Sequence, residues 1–143
     1  MFVLAAVASL AHAKQLALIT DAANSTTDVT TADLVKIFNA RMQNWPDGKP
    51  IRLIMRDPSA PGMHLVLRKL FEMNPEQVQS FLQLHSRTMV IAESDDAVVK
   101  LVSGTRGAIG VVDLFSITHD VKVLKIDGKL PVEQGYALRG NSQ

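Results

Sequence analysis

The chain has 143 residues, 47% of them hydrophobic and 20% charged, with a net charge of +1. That is the size and composition of one globular domain with a real core, not of a disordered chain, and so small a net charge carries no broad footprint for nucleic acid or membrane. The absence of cysteine excludes disulfides, thiolate metal sites and cysteine nucleophiles.

Residues 1–13, MFVLAAVASLAHA, hold no Asp, Glu, Lys or Arg and are too short to span a bilayer. They have the length of the apolar region of a signal peptide, and Ala-His-Ala supplies a small-x-small cleavage pattern before Lys14. The expectation is an exported protein whose mature chain starts near Lys14. The basic lead-in of a signal peptide is missing, which a start site set too far downstream would explain. The competing reading is a buried N-terminal helix or strand. Residues 14–143 show no repeat and no low-complexity linker, so they are expected to form a single domain.

Leu16 to Thr20 is a short apolar run and is predicted as a buried strand. The polar stretch DAANSTTDVTT, 21–31, is a loop, and Thr30 or Thr31 caps a helix with Asp33 in its first turn. Leu34, Ile37, Phe38, Met42 and Trp45 follow helical spacing, and Trp45-Pro46-Asp47-Gly48 ends the helix with turn chemistry. Ile51 to Met55 is the second predicted strand, with Arg56 at its end. A helix is expected from about Pro61, because proline suits the first helical position; Leu67, Leu70 and Phe71 form its inner face.

Asn74-Pro75-Glu76-Gln77 is a capping signal for the next helix, which carries Val78, Phe81, Leu82 and His85 on one stripe. Ser94-Asp95-Asp96 opens another, with acids where the helix dipole favours them; Ala97, Val98, Leu101 and Val102 are its predicted inner face and Gly104 its end. Ala108–Val112 and Val121–Ile126 are two further strands, and Tyr136–Arg139 is a short last one. The alternation of strands and helices predicts an α/β fold, a small mixed sheet flanked by helices.

Enzyme chemistry finds little support. No G-x-S-x-G pattern surrounds a serine, and the four histidines are scattered, none at helical ligand spacing from another. No catalytic residue, metal site or cofactor is expected. His85 reads as a half-buried stripe residue, while His64 is open between a functional and a bland role. The glycines of GTRGAIG, 104–110, fit neither a phosphate loop nor a dinucleotide fingerprint; they read as a helix end and a tight strand entry.

One segment stands apart: RDPSAPGMH, 56–64. A guanidinium at a strand end beside a helix start can hold an oxyanion, with Arg56 as charge partner. Ser59 adds a hydroxyl, and the backbone N–H groups of Gly62 and Met63 add donors. Against this, Asp57 would pair with Arg56 and Ser59 would only cap the helix. A second candidate is the loop NSTTD, where Asn24, Ser25 and Thr26 offer amide and hydroxyl donors; a solvated turn is its competing reading.

Leu34, Ile37, Phe38 and Trp45, then Arg56 at a strand end, then Gly107-Ala108-Ile109-Gly110, occur in an order that resembles the periplasmic phosphate-binding proteins of ABC transporters. The resemblance covers about residues 15 to 126. It implies one lobe of a type II periplasmic binding protein, exported, in which Arg56 and the turn after it hold phosphate or a similar small oxyanion without chemistry. The turn departs from the family: D-P-S-A-P-G-M-H stands where D-G-S-G-T is usual, so Ser59 and Gly62 are looser matches than Arg56. The partners implied are an inner-membrane ABC transporter or a second subunit completing the cleft. The alternative is a single-lobe adaptor that has lost its ligand.

Overall fold

The computed structural model describes residues 13–141. Strand β1 (Ala13–Asp21) crosses the middle of the main sheet, and Ala17, Leu18 and Ile19 in it are fully buried. Its apolar run without alternation has a physical reason: it is covered on both faces. On one side it pairs antiparallel with β5 (Ala108–Asp113). On the other, β8 (Arg139–Asn141) takes residues 13–15 and β6 (Val121–Val123) takes 19–21.

Strand β3 (Arg52–Arg56) lies parallel to β5 and to β4 (Met89–Ala92), giving the order β4-β3-β5-β1-β6 with β8 joined to β1. Two short strands, β2 (Asp28–Val29) and β7 (Lys125–Ile126), form a separate parallel pair. This is the expected mixed sheet flanked by helices.

One face of the sheet carries α1 (Thr31–Phe38), the short α2 (His64–Val66) with the π-helical turn Leu67–Phe71, and α3 (Pro75–Leu84). Phe38 and Phe71 meet edge to face there at 5.3 Å. The other face carries α4 (Asp95–Gly104), whose Val98, Val99 and Val102 pack on Ile19, Ile54 and Val112. The predicted caps are present. The Thr30 hydroxyl accepts from Asp33 N–H, Asn74 and Gln77 form a reciprocal capping box, and the Ser94 hydroxyl accepts from Ala97 N–H.

Several boundaries differ from expectation. Helix α1 stops at Phe38, because Ala40 takes a left-handed φ of 59° that no continuing helix tolerates. Met42 and Trp45 are therefore off the helix. Trp45 is still buried, its indole N–H donating to the Gly107 carbonyl over 2.9 Å. On α4, Val99 takes the inward place expected of Leu101, which is exposed. The run 121–126 is split between two sheets, and the last strand is Arg139–Asn141, leaving Tyr136 free to point into the core. Strand β4 was not anticipated at all. The expected leader lies outside the described residues, apart from Ala13, which opens β1.

Candidate functional site: a charged rim at the strand ends

Strands β3 and β5 run parallel with Ile54 opposite Gly110, so their carboxyl ends emerge side by side. Strand β4 sets Ala92 opposite Arg56, and the chain turns at once into α4. Arg56, Asp95 and Asp113 are thus brought to one rim, the end of an α/β sheet where ligands bind.

The Arg56 guanidinium is half-buried. Its Nη1 lies 3.8 Å from Asp95 Oδ1, a loose ion pair, and its buried Nε has no hydrogen-bond partner among the described residues. Asp95 is committed twice over, since its Oδ2 accepts from Asp113 N–H at 3.0 Å. Asp113 Oδ1 in turn accepts from Phe115 N–H and holds the 3-10 turn Leu114–Ser116. A crevice of about 20 Å³ opens between Arg56, Gly62, Met63, Asp95 and Asp113. That volume takes one water-sized group.

The turn after Arg56 is built differently from expectation. Arg56 pairs with Asp95 rather than Asp57. Asp57 is engaged by Ser59 instead: the hydroxyl and backbone N–H of Ser59 donate to Asp57 Oδ1 at 2.6 and 2.8 Å. Those bonds, the hydroxyl's first, hold the Asp57 carboxyl below the usual carboxylate range. Ser59 therefore does not cap a helix. Nor does the helix start at Pro61. Gly62 sits at φ +90°, outside helical space, and α2 opens only at His64 with Met63 as an N-cap that makes no side-chain bond. Gly62 and Met63 still line the crevice.

The loop with Asn24, Ser25 and Thr26 is at the opposite end of the sheet. Strand β1 is antiparallel to β5, with Thr20 opposite Ile109, so the residues after Asp21 gather where β5 begins. The structure does not join this loop to Arg56. Asn24 is buried as a bracket: its amide donates to the Thr20 hydroxyl at 2.9 Å, which donates to the Ala108 carbonyl at 2.6 Å. Asn24 Oδ1 accepts from Thr26 N–H, the Lys122 ammonium donates to the Asn24 carbonyl, and Asp21 accepts from Gly107 N–H. Ser25 is exposed. Asn24 is thus spent, with Thr20 and Asp21, on tying the end of β1 to the start of β5.

Sequence reasoning missed Asp95 and Asp113 as neighbours of Arg56. Asp95 read only as a helix-dipole acid, and Asp113 as a residue past a strand end. Placing either at the site needs the parallel order of β4, β3 and β5, which no local pattern encodes.

The sequence profile described as the PBP superfamily domain matches residues 5–135. The chain belongs to this family. Among solved structures, the PBP domain is similar to PstS from Borrelia burgdorferi, at 23% identity and a TM-score of 0.75, covering 91% of this chain and 56% of that one. An ABC-type phosphate transport receptor from Vibrio cholerae aligns at 19% identity and a TM-score of 0.68, covering 91% and 55%. A Clostridium perfringens substrate-binding protein solved with bound phosphate aligns at 19% identity and 0.75, covering 91% and 54%. The PBP domain thus spans about half the length of the structures it matches, and shares their fold over that half. Among curated proteins, none matches.

Proposed function

We propose that this PBP domain is a non-enzymatic binding module, residues 14–143, for phosphate or a similar small oxyanion, acting in the periplasm in the manner of a transport receptor. The observation that carries the reading is Arg56. Its Nε is buried without a partner among the described residues, its ion pair to Asp95 is loose, and it lines a crevice at the carboxyl ends of parallel strands. An unsatisfied guanidinium donor is costly to bury, and an oxyanion at the crevice mouth would satisfy it with two hydrogen bonds. Gly62 and Met63 line the same crevice, and the Met63 N–H, which donates to the Ala60 carbonyl at 3.2 Å, would reach an anion only by leaving it. Ser59 would contribute its hydroxyl by letting go of Asp57. An inner-membrane ABC transporter is the natural recipient of such a solute.

Calorimetry with phosphate and with sulfate tests this. The expected result is saturable heat with a dissociation constant in the micromolar-to-millimolar range, lost in Arg56→Ala. No heat with either anion up to millimolar concentration would sink the proposal.

A second reading is favoured by a different observation. Asp95 already stands as a charge partner 3.8 Å from Arg56, and Phe115, two residues past Asp113 on the same rim, is 89% exposed. Arginine and an exposed aromatic side chain are residue types enriched where proteins meet, which suits an adaptor that keeps the fold and binds a protein instead of an anion. Retained phosphate heat in wild-type protein would count against it.

A further inference from the structure

Among the described residues, strand β4 ends the main sheet at one side. Its sequence, Met89-Val90-Ile91-Ala92, has no charge, proline or glycine, and Val90 and Ile91 are each 42% exposed. Edge strands are guarded by shortness, a lysine, a proline or a bulge. This one is short, at four residues, and carries none of the others within the strand.

The ladder says which backbone groups face outward. Met89 stands opposite Leu53, and Leu53 N–H donates to the Thr88 carbonyl at 2.8 Å. In a parallel ladder a residue bonds to both neighbours of its counterpart, so Thr88 and Val90 turn their groups toward β3. Met89 and Ile91 turn theirs away. Met89 N–H is taken by the His85 carbonyl at 2.9 Å. The Met89 carbonyl and both Ile91 groups are left facing outward.

We propose that β4 pairs antiparallel with β4 of a second copy, about a two-fold axis at Val90, so that one sheet runs through both molecules. Outward groups must meet outward groups, which limits the register to steps of two residues. With Val90 opposite Val90, Ile91 N–H of each copy reaches the Met89 carbonyl of the other. The charges select the same arrangement. Arg87 precedes the strand and Glu93 follows it; both are exposed and without an ion pair among the described residues. Antiparallel self-pairing brings the Arg87 end of each copy to the Glu93 end of the other, twice per dimer. A parallel pairing would set like charges together. An unrelated strand would match the backbone but not this charge order, so a second copy is the fitting partner. The inference does not depend on anion binding.

Sedimentation velocity on the intact protein tests it, over roughly 10 µM to 1 mM, because a single strand pair gives a small interface. The expected result is a concentration-dependent rise to twice the monomer mass. Ile91→Lys should return the protein to monomer. Arg87→Glu and Glu93→Arg should each weaken the dimer about tenfold, and the double exchange should recover most of that loss. Circular dichroism checks that each variant is folded; if Ile91→Lys is not, the charge exchange decides alone. A wild-type monomer throughout, a dimer that survives Ile91→Lys folded, or a double exchange with no recovery would each overturn the proposal.

Discussion

Tyr136 completes the hydrogen bonding of β1: its phenolic oxygen accepts from the backbone N–H of Leu18 at 3.1 Å, across 118 residues of sequence. The bond falls where β1 changes partners. On the edge away from β5, β8 leaves it at Gln15 and β6 joins it at Ile19, so among the described residues no strand on that edge takes the Leu18 N–H. The Leu18 carbonyl is served by Leu124 N–H. Tyr136→Phe would leave the Leu18 N–H buried and unsatisfied, at a cost of about 1–3 kcal/mol in urea unfolding.

The same tyrosine sets an alkaline limit. Burial pushes its phenol up to about 12 from the ordinary 10, the Leu18 N–H pulling weakly the other way. Below pH 10 both folded and unfolded chains keep the proton, and the contribution is fully present. Between pH 10 and 12 the unfolded chain releases it while the folded chain does not, so stability falls by about 1.4 kcal/mol per pH unit. Wild type minus Tyr136→Phe should show this slope. It is the chain's single tyrosine, so ultraviolet titration reads it alone.

Gly107 joins the Trp45 loop to β5. It sits at φ +80°, and a Cβ there would lie 2.2 Å from the Pro50 carbonyl oxygen. Gly107→Ala is expected to cost at least ~2 kcal/mol, or to prevent folding, since both the backbone angle and the contact forbid the methyl. Fluorescence of Trp45, the one tryptophan, reports it; unchanged unfolding would refute the close approach.

Asp95 competes with any anion for Arg56. Asp95→Asn is expected to tighten phosphate binding up to about fivefold, the worth of a partly exposed ion pair. The folding cost should be small, about 0.5 kcal/mol from the lost helix-dipole charge. Weaker binding in Asp95→Asn would show that the carboxylate orients the guanidinium rather than occupying it.

Asp57 can report on the turn. Ser59→Ala should raise its carboxyl toward the ordinary range, as followed by NMR titration. Phosphate should move it the same way, if the Ser59 hydroxyl leaves Asp57 for the anion. An Asp57 titration indifferent to saturating phosphate would remove Ser59 from the site.

Local signals carried well where the chemistry is local. Thr30, Asn74 and Ser94 each cap a helix from within three residues, and all three were readable. Arg56 was readable too, as a charge ending an apolar run. The start of α2 was not, because Pro61 suits a first helical turn but Gly62 then leaves helical space. Trp45 kept helical spacing past the end of its helix because it packs on the same core by way of a loop. Asp57 and Asp95 show the limit most clearly. Sequence proximity favoured Asp57 as the partner of Arg56, but Ser59 holds it, and the acid that faces Arg56 comes from the far side of β4.

The position of β1 has a consequence for how the chain reaches this state. Among the described residues the central strand precedes all three of its partners, none of which begins before residue 108. Its pairings are all non-local, the kind that folds slowly. Until β5 is made, β1 is an apolar strand with no sheet neighbour among the described residues. The sheet therefore closes late, around a segment that has waited since its own synthesis.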